Sequence, residues 1–168
     1  MIFKRLPRFL VACVLVLSLF VSGCGQTATS SSSTAGKTTS PPSQTTAAKP
    51  VSGGQFNKFF PKSQGDYKVT YRQEKSGFAQ AKLAQGGEEL ALLSINDISS
   101  NPSAATKFEN SSQRISGYPA VTQGKKATAV LVADRYQVKV SSKSDSFSAS
   151  DREEWLSKFD LQGLSRVK

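Results

Sequence analysis

The chain has 168 residues, of which 22 are basic and 12 acidic, giving a formal net charge of +10, with two cysteines and no histidine. That length holds one ordinary domain with extensions, and the lack of imidazole excludes a histidine-based triad, a Cys/His zinc site and an imidazole pH switch. Lys4, Arg5 and Arg8 precede residue 24, and Lys37 and Lys49 fall in a low-complexity tract; the remaining 17 basic residues against 12 acidic are too thin a surplus for a dedicated nucleic-acid binder.

Residues 1 to 8, "MIFKRLPR", form a positive leader, and "FLVACVLVLSLF" follows as an apolar run. A helix of about twelve residues rises about 18 Å, short of the ~30 Å hydrocarbon core, so the run reads as the apolar region of a signal peptide rather than a lasting transmembrane helix. Val21, Ser22, Gly23 and Cys24 close it. This quartet resembles the lipobox of bacterial lipoproteins. The resemblance implies a diacylglycerol in thioether linkage on Cys24, cleavage after Gly23 and further acylation of the new amino terminus. Cys13 would leave with the peptide. Each buried methylene adds ~0.8 kcal/mol of membrane affinity, so two or three long acyl chains make an effectively permanent anchor. Gly25 is not the aspartate that retains many such lipoproteins at the inner membrane. The resemblance therefore implies an extracytoplasmic chain anchored at the outer membrane or on the outer face of the cytoplasmic membrane.

From Gly25 to Gly53 the chain is rich in Ser, Thr and Pro, lacks aromatic residues and has Val51 as its only large aliphatic residue. Such a tract buries too little to offset its ordering entropy and is expected to be a disordered tether. Its root-mean-square span of about 30 Å greatly exceeds the ~8 Å Debye length, so charge alone would not hold a domain at the membrane surface. The expected organisation is a signal peptide over 1–23, lipidated Cys24 and tether over 24–53, and a folded domain over 54–168.

The domain opens with "QFNKFFP". Phe56, Phe59 and Phe60 fall at i, i+3 and i+4, which predicts one aromatic helical face stopped by Pro61. "DYKVTYRQEK", "FAQAKLAQ" and "ELALLSIND" predict a three-stranded antiparallel meander with turns at Ser76-Gly77 and Gly86-Gly87. "SSNPSAATKFENSSQ" predicts a short helix with Asn101 as N-cap and Pro102 in its first turn. A weaker strand, "RISGYPAV", follows. "ATAVLVA" is nearly all apolar and should be covered on both faces, whereas "RYQVKVSS" should turn Tyr136, Val138 and Val140 inward and Arg135, Gln137 and Lys139 outward. Ser150 and Glu153 have the spacing of a capping box for a last helix carrying Trp155, Leu156 and Phe159. The whole predicts an α+β domain, an antiparallel sheet of about six strands covered by two or three short helices. "GYPAV" and "LVADRYQVKV" look similar to small uncharacterised domains on bacterial lipoproteins, a likeness that implies no chemistry.

The sequence supplies no constellation for catalysis, a cofactor or a metal. Asp151, Glu153 and Glu154 cluster at a helix start, where the dipole favours negative charge. Asp97, Ser99 and Asn101 alternate as in a calcium loop but lack its turn glycine and closing glutamate, which favours capping and turn roles. Ser165 and Lys168 have Ser–Lys spacing at a terminus. Candidate partner-binding residues are the aromatic trio Phe56, Phe59 and Phe60, whose default role is packing, and the basic groups Lys68, Arg72, Lys125, Lys126, Arg135 and Lys139, whose default is a solvated sheet face. The expected function is that of a non-enzymatic binding or accessory module docking on an envelope protein or complex. A carrier of a small amphipathic ligand between sheet and helix is the alternative, and a hydrolase comes third.

Overall fold

The computed structural model describes residues 49–168. The signal segment, the lipobox cysteine and the tether up to residue 48 lie outside the described residues. A 3-10 helix, Gly53–Phe59, leads into strands β1 (Tyr67–Lys75), β2 (Phe78–Gln85) and β3 (Glu88–Asp97). A 3-10 turn, Pro102–Ala105, runs into α1 (Thr106–Glu109). Strands β4 (Arg114–Ile115), β5 (Tyr118–Gln123), β6 (Ala127–Val132) and β7 (Tyr136–Ser142) follow, and then helices α2 (Ala149–Ser157) and α3 (Leu161–Ser165).

The strands form one antiparallel sheet in the order β1-β2-β3-β7-β6-β5-β4. The fold is α+β, with seven strands rather than six. The additional strand comes from "RISGYPAV", which is a hairpin and not a single strand. Ser116 and Gly117 both take positive φ, 50° and 85°, and reverse the chain between β4 and β5. Two meanders, β1 to β3 and β4 to β7, thus join where β7 returns beside β3.

Period-two alternation decides which face is packed. Ala79, Ala81 and Leu83 of β2, Ala91, Leu93 and Ile95 of β3, and Tyr136, Val138 and Val140 of β7 are all fully buried. They meet Phe56, Trp155, Leu156 and Leu164 from the helices in one continuous core. β6 is buried on both faces, as its composition predicts. Val130 and Val132 join the main core, and Ala129 and Leu131 pack under Ile98 and Phe108 in a second cluster on the other face. Gln137, expected outward, does face that side but is buried there.

Three local expectations are corrected. The first helix is 3-10, not α, and at its start Gly53 runs so close to the β1–β2 hairpin that a Cβ would strike the backbone carbonyls of Phe78 and Lys75. The helix expected to be last is α2, followed by a short α3, and its cap lies two residues before Ser150. Ser148 is its N-cap, accepting from the Asp151 amide at 3.2 Å, while the Asp151 carboxylate accepts from the Ser148 amide at 2.7 Å. Asn101 makes no side-chain cap; its Oδ1 accepts from the Ser103 hydroxyl. In addition Val51, assigned by composition to the tether, lies in the core at 8 % exposure.

Candidate functional site

The candidate residues separate into four environments. The aromatic trio is interior. Phe56 stands edge-on to Tyr136 with ring centroids 5.9 Å apart, and Phe60 meets Phe159 at 5.2 Å and Tyr71 at 5.6 Å. Phe59 is also buried, and its carbonyl accepts from the Asp160 amide at 3.0 Å. These rings offer no docking surface because the helices and sheet already cover them. Together with Leu156 and Leu164 they also fill the space between sheet and helices that a carried ligand would need.

Arg135 is likewise withdrawn from any surface role. It ends the β6–β7 turn, where Ala133 and Asp134 have positive φ, and its Nη2 and Nε donate to the Asp97 carboxylate at 2.8 and 3.1 Å. The Asp97 side chain is fully buried and that of Arg135 is partly buried, at 18 % exposure. The same carboxylate accepts from the amides of Val51 (3.1 Å) and Ser99 (3.0 Å), and Arg135 also donates to the carbonyl of Lys49 at 3.2 Å. Burial pushes the Asp97 carboxyl up, but the hydrogen bonds from Arg135, Ser99 and Val51 outweigh it and hold its pKa at about 2. Asp97 raises the pKa of Arg135 in turn by accepting its hydrogen bond.

A third set lies on the sheet face away from α2 and α3. Register aligns Thr70, Lys82, Leu92 and Ser141 in one row across β1, β2, β3 and β7, and Gln80, Ser94 and Lys139 in the next. Lys68 shares this face two residues along β1. From strand spacing and rise, Lys82 stands about 8 Å from Lys68 and about 12 Å from Lys139 at the backbone. Arg72 sits at a bulge in β1 and reaches over β2 to Glu89 of β3, with Nη1 3.1 Å from the carboxylate. Lys68, Lys82 and Lys139 form no ion pair among the described residues. A shallow cavity of about 290 Å³ lies at the β1 end of the face, bounded by Lys68, Thr70, Lys82 and the acidic Asp66. Burial and then the charge of Lys139 lower the pKa of Lys107 on α1.

The fourth set is Lys125 and Lys126 at the β5–β6 turn. Lys126 pairs with Asp145 at 2.7 Å, both groups exposed, and Lys125 forms no ion pair among the described residues. Beside them stands Arg152, a residue that pattern reasoning passed over; it is 3 % exposed on the first turns of α2. Lys82 and Lys107 were passed over as well. Lys82 was recoverable from the alternation of β2, whereas Lys107 stands on α1 and belongs to no strand period.

Among the described residues, no group of three or more acidic or cysteine side chains is placed to hold a metal ion, and no helix is long and apolar enough to cross a membrane. Comparisons with protein-family models, with curated proteins and with solved structures find no match.

Proposed function

We propose that this chain is a lipid-anchored, extracytoplasmic binding module that acts without catalysis, its open sheet face docking on an acidic surface of an envelope protein or complex. The anchoring half rests on the run from leader to Cys24 and the tether behind it. The docking half rests on one observation. Lys68, Lys82 and Lys139 share a face on which Arg72 already takes Glu89, and these three cations form no ion pair among the described residues. Leu92, half-buried in the middle of the row, adds apolar contact. An acidic partner supplies the missing charge, and electrostatic complementarity of this kind gives specificity and association rate more than raw affinity.

A photocrosslinking residue in place of Leu92 is expected to capture a discrete partner in intact cells, and one in place of Ser157 on the helix side is not. Lys82→Glu with Lys139→Glu should abolish the Leu92 adduct and leave the fold unchanged. Equal capture from both positions, or capture that survives charge reversal, overturns the docking half. The anchor is tested apart from it: Cys24→Ala should abolish lipid labelling and leave an uncleaved precursor. Normal-sized protein in the membrane fraction would sink that half.

A further inference from the structure

Arg152 is the most deeply buried cation among the described residues, and its acceptors are both neutral. Nε donates to the Thr128 hydroxyl at 3.0 Å and Nη1 to the Ser142 hydroxyl at 2.9 Å. Among the described residues no carboxylate forms an ion pair with it, although its charge helps lower the pKa of Asp151. A buried charge without a counter-charge is costly, and a neutral donor could tie α2 to β6 and β7 without that cost. Nη2 takes no acceptor among the described residues. Arg152 forms part of the wall of a cavity of about 310 Å³, together with Lys125, Lys126, Ser142, Ser144 and Asp145.

Each neighbour has a definable part. Ser142 donates to the carbonyl of Phe147 at 2.7 Å, so its lone pairs are turned to Arg152 and hold the guanidinium in place. Ser144 brings a second hydroxyl, hydrogen-bonded to that of Ser146 at 2.8 Å. Lys125 and Lys126 stand on the rim. Two carboxylates face the group. Asp151 is committed to the α2 cap, accepting from the amide and hydroxyl of Ser148 at 2.7 and 2.6 Å. Asp145 pairs with Lys126, but its side chain is 93 % exposed and free to swing away. The wall therefore carries three cations against one displaceable carboxylate.

We infer that this cavity is an oxyanion site that takes a phosphomonoester-type dianion, with Arg152 as its buried fork, Lys125 and Lys126 as rim charges, and Asp145 as an internal competitor. Guanidinium geometry matches phosphate oxygens in pairs, and the net positive wall matches the charge of −1.5 to −2 on such a group. The site is distinct from the lysine face: along β7, Ser142 has the parity of the core residues Val138 and Val140, whereas Lys139 and Ser141 have the opposite one.

The test uses the full chain in a neutral detergent, titrated with inorganic phosphate and with glycerol 3-phosphate against chloride at matched ionic strength. Either anion should shift the amide resonances of Ser142 and Ser144 and the Arg152 Nε signal. Tighter binding of glycerol 3-phosphate assigns a phosphorylated headgroup or sugar as the source, and tighter binding of phosphate assigns the free ion. Lys125→Gln with Lys126→Gln, both exposed positions, should weaken either by about tenfold or more without changing the melt in chloride. Asp145→Asn should strengthen binding several-fold, a gain that an arginine serving only to tie helix to sheet would not give. Absence of phosphate-specific shifts, or affinities indifferent to both exposed substitutions, overturns the proposal. Arg152→Met, which endangers the fold, is not needed to decide it.

Discussion

Asp97 holds its charge out of contact with water, and four hydrogen bonds from Arg135, Val51 and Ser99 make that tolerable. Its carboxyl takes a proton less readily in the folded chain, at about 2, than at the ordinary 3.8. The stabilisation is therefore complete above about pH 4 and is lost as pH falls from 4 toward 2; it amounts to about 2 kcal/mol. Asp97→Asn should cost about 3 kcal/mol at pH 7, since it strands a partly buried guanidinium, and should flatten the stability profile below pH 4. Urea melts at pH 7, 4 and 2 check both outcomes, and a variant that still loses stability in parallel with the wild type would assign the acid limb elsewhere. The turn role expected for Asp97 and Ser99 was legible because both partners lie within two residues. Arg135 is 38 positions away, and only the return of β7 beside β3 brings it in.

At the scale of elements, the sequence pointed to a capping box of Ser150 with Glu153, and the structure forms one two residues earlier, Ser148 with Asp151. Packing chooses between them. Starting at Ala149 puts Arg152, Trp155 and Leu156 against the sheet and leaves Glu153 to accept from the Gln113 side chain at 2.8 Å. Ser148→Ala should therefore cost about 1 kcal/mol and Ser150→Ala only a few tenths, readable as a shift in denaturation midpoint. The strands of the first meander were legible because their alternation is strict and glycine-bearing turns punctuate them. The β4–β5 hairpin was not, because a two-residue strand has no period to detect. The aromatic spacing at 56, 59 and 60 named the right core residues but the wrong helix type, since Phe56 and Phe59 also share a face at three residues per turn. With Phe59 at 4 % exposure, Phe59→Ala should cost ~3–5 kcal/mol, a large share of the 5–15 kcal/mol typical of a domain. A denaturant midpoint left unchanged by that substitution would contradict the packing.

Across the whole molecule, the place where the tether meets the fold is the least legible from composition and the most consequential for an anchored module. Lys49 to Val51 belong by residue type to the Ser/Thr/Pro tract. In the structure, however, the Val51 amide donates to Asp97, its carbonyl accepts from the Gly77 amide at 2.6 Å, and Arg135 grips the Lys49 carbonyl. Asp97 ends β3 and Arg135 leads into β7, the two strands at which the meanders join. Residues 49–51 are thus fixed to the middle of the sheet and not to the exposed edge strand β1. A fragment starting at Lys49 should retain this junction. One starting at Ser52 loses the buried Val51 side chain, which contributes ~1.5 kcal/mol, and leaves Asp97, Gly77 and Arg135 each short of a hydrogen-bond partner. The shorter fragment should be less stable by about 2–4 kcal/mol, and its acid limb should begin at higher pH, because an Asp97 with fewer donors protonates sooner. Coincident urea melts for the two fragments at pH 7 and at pH 3 would show that the junction lies outside the cooperative unit.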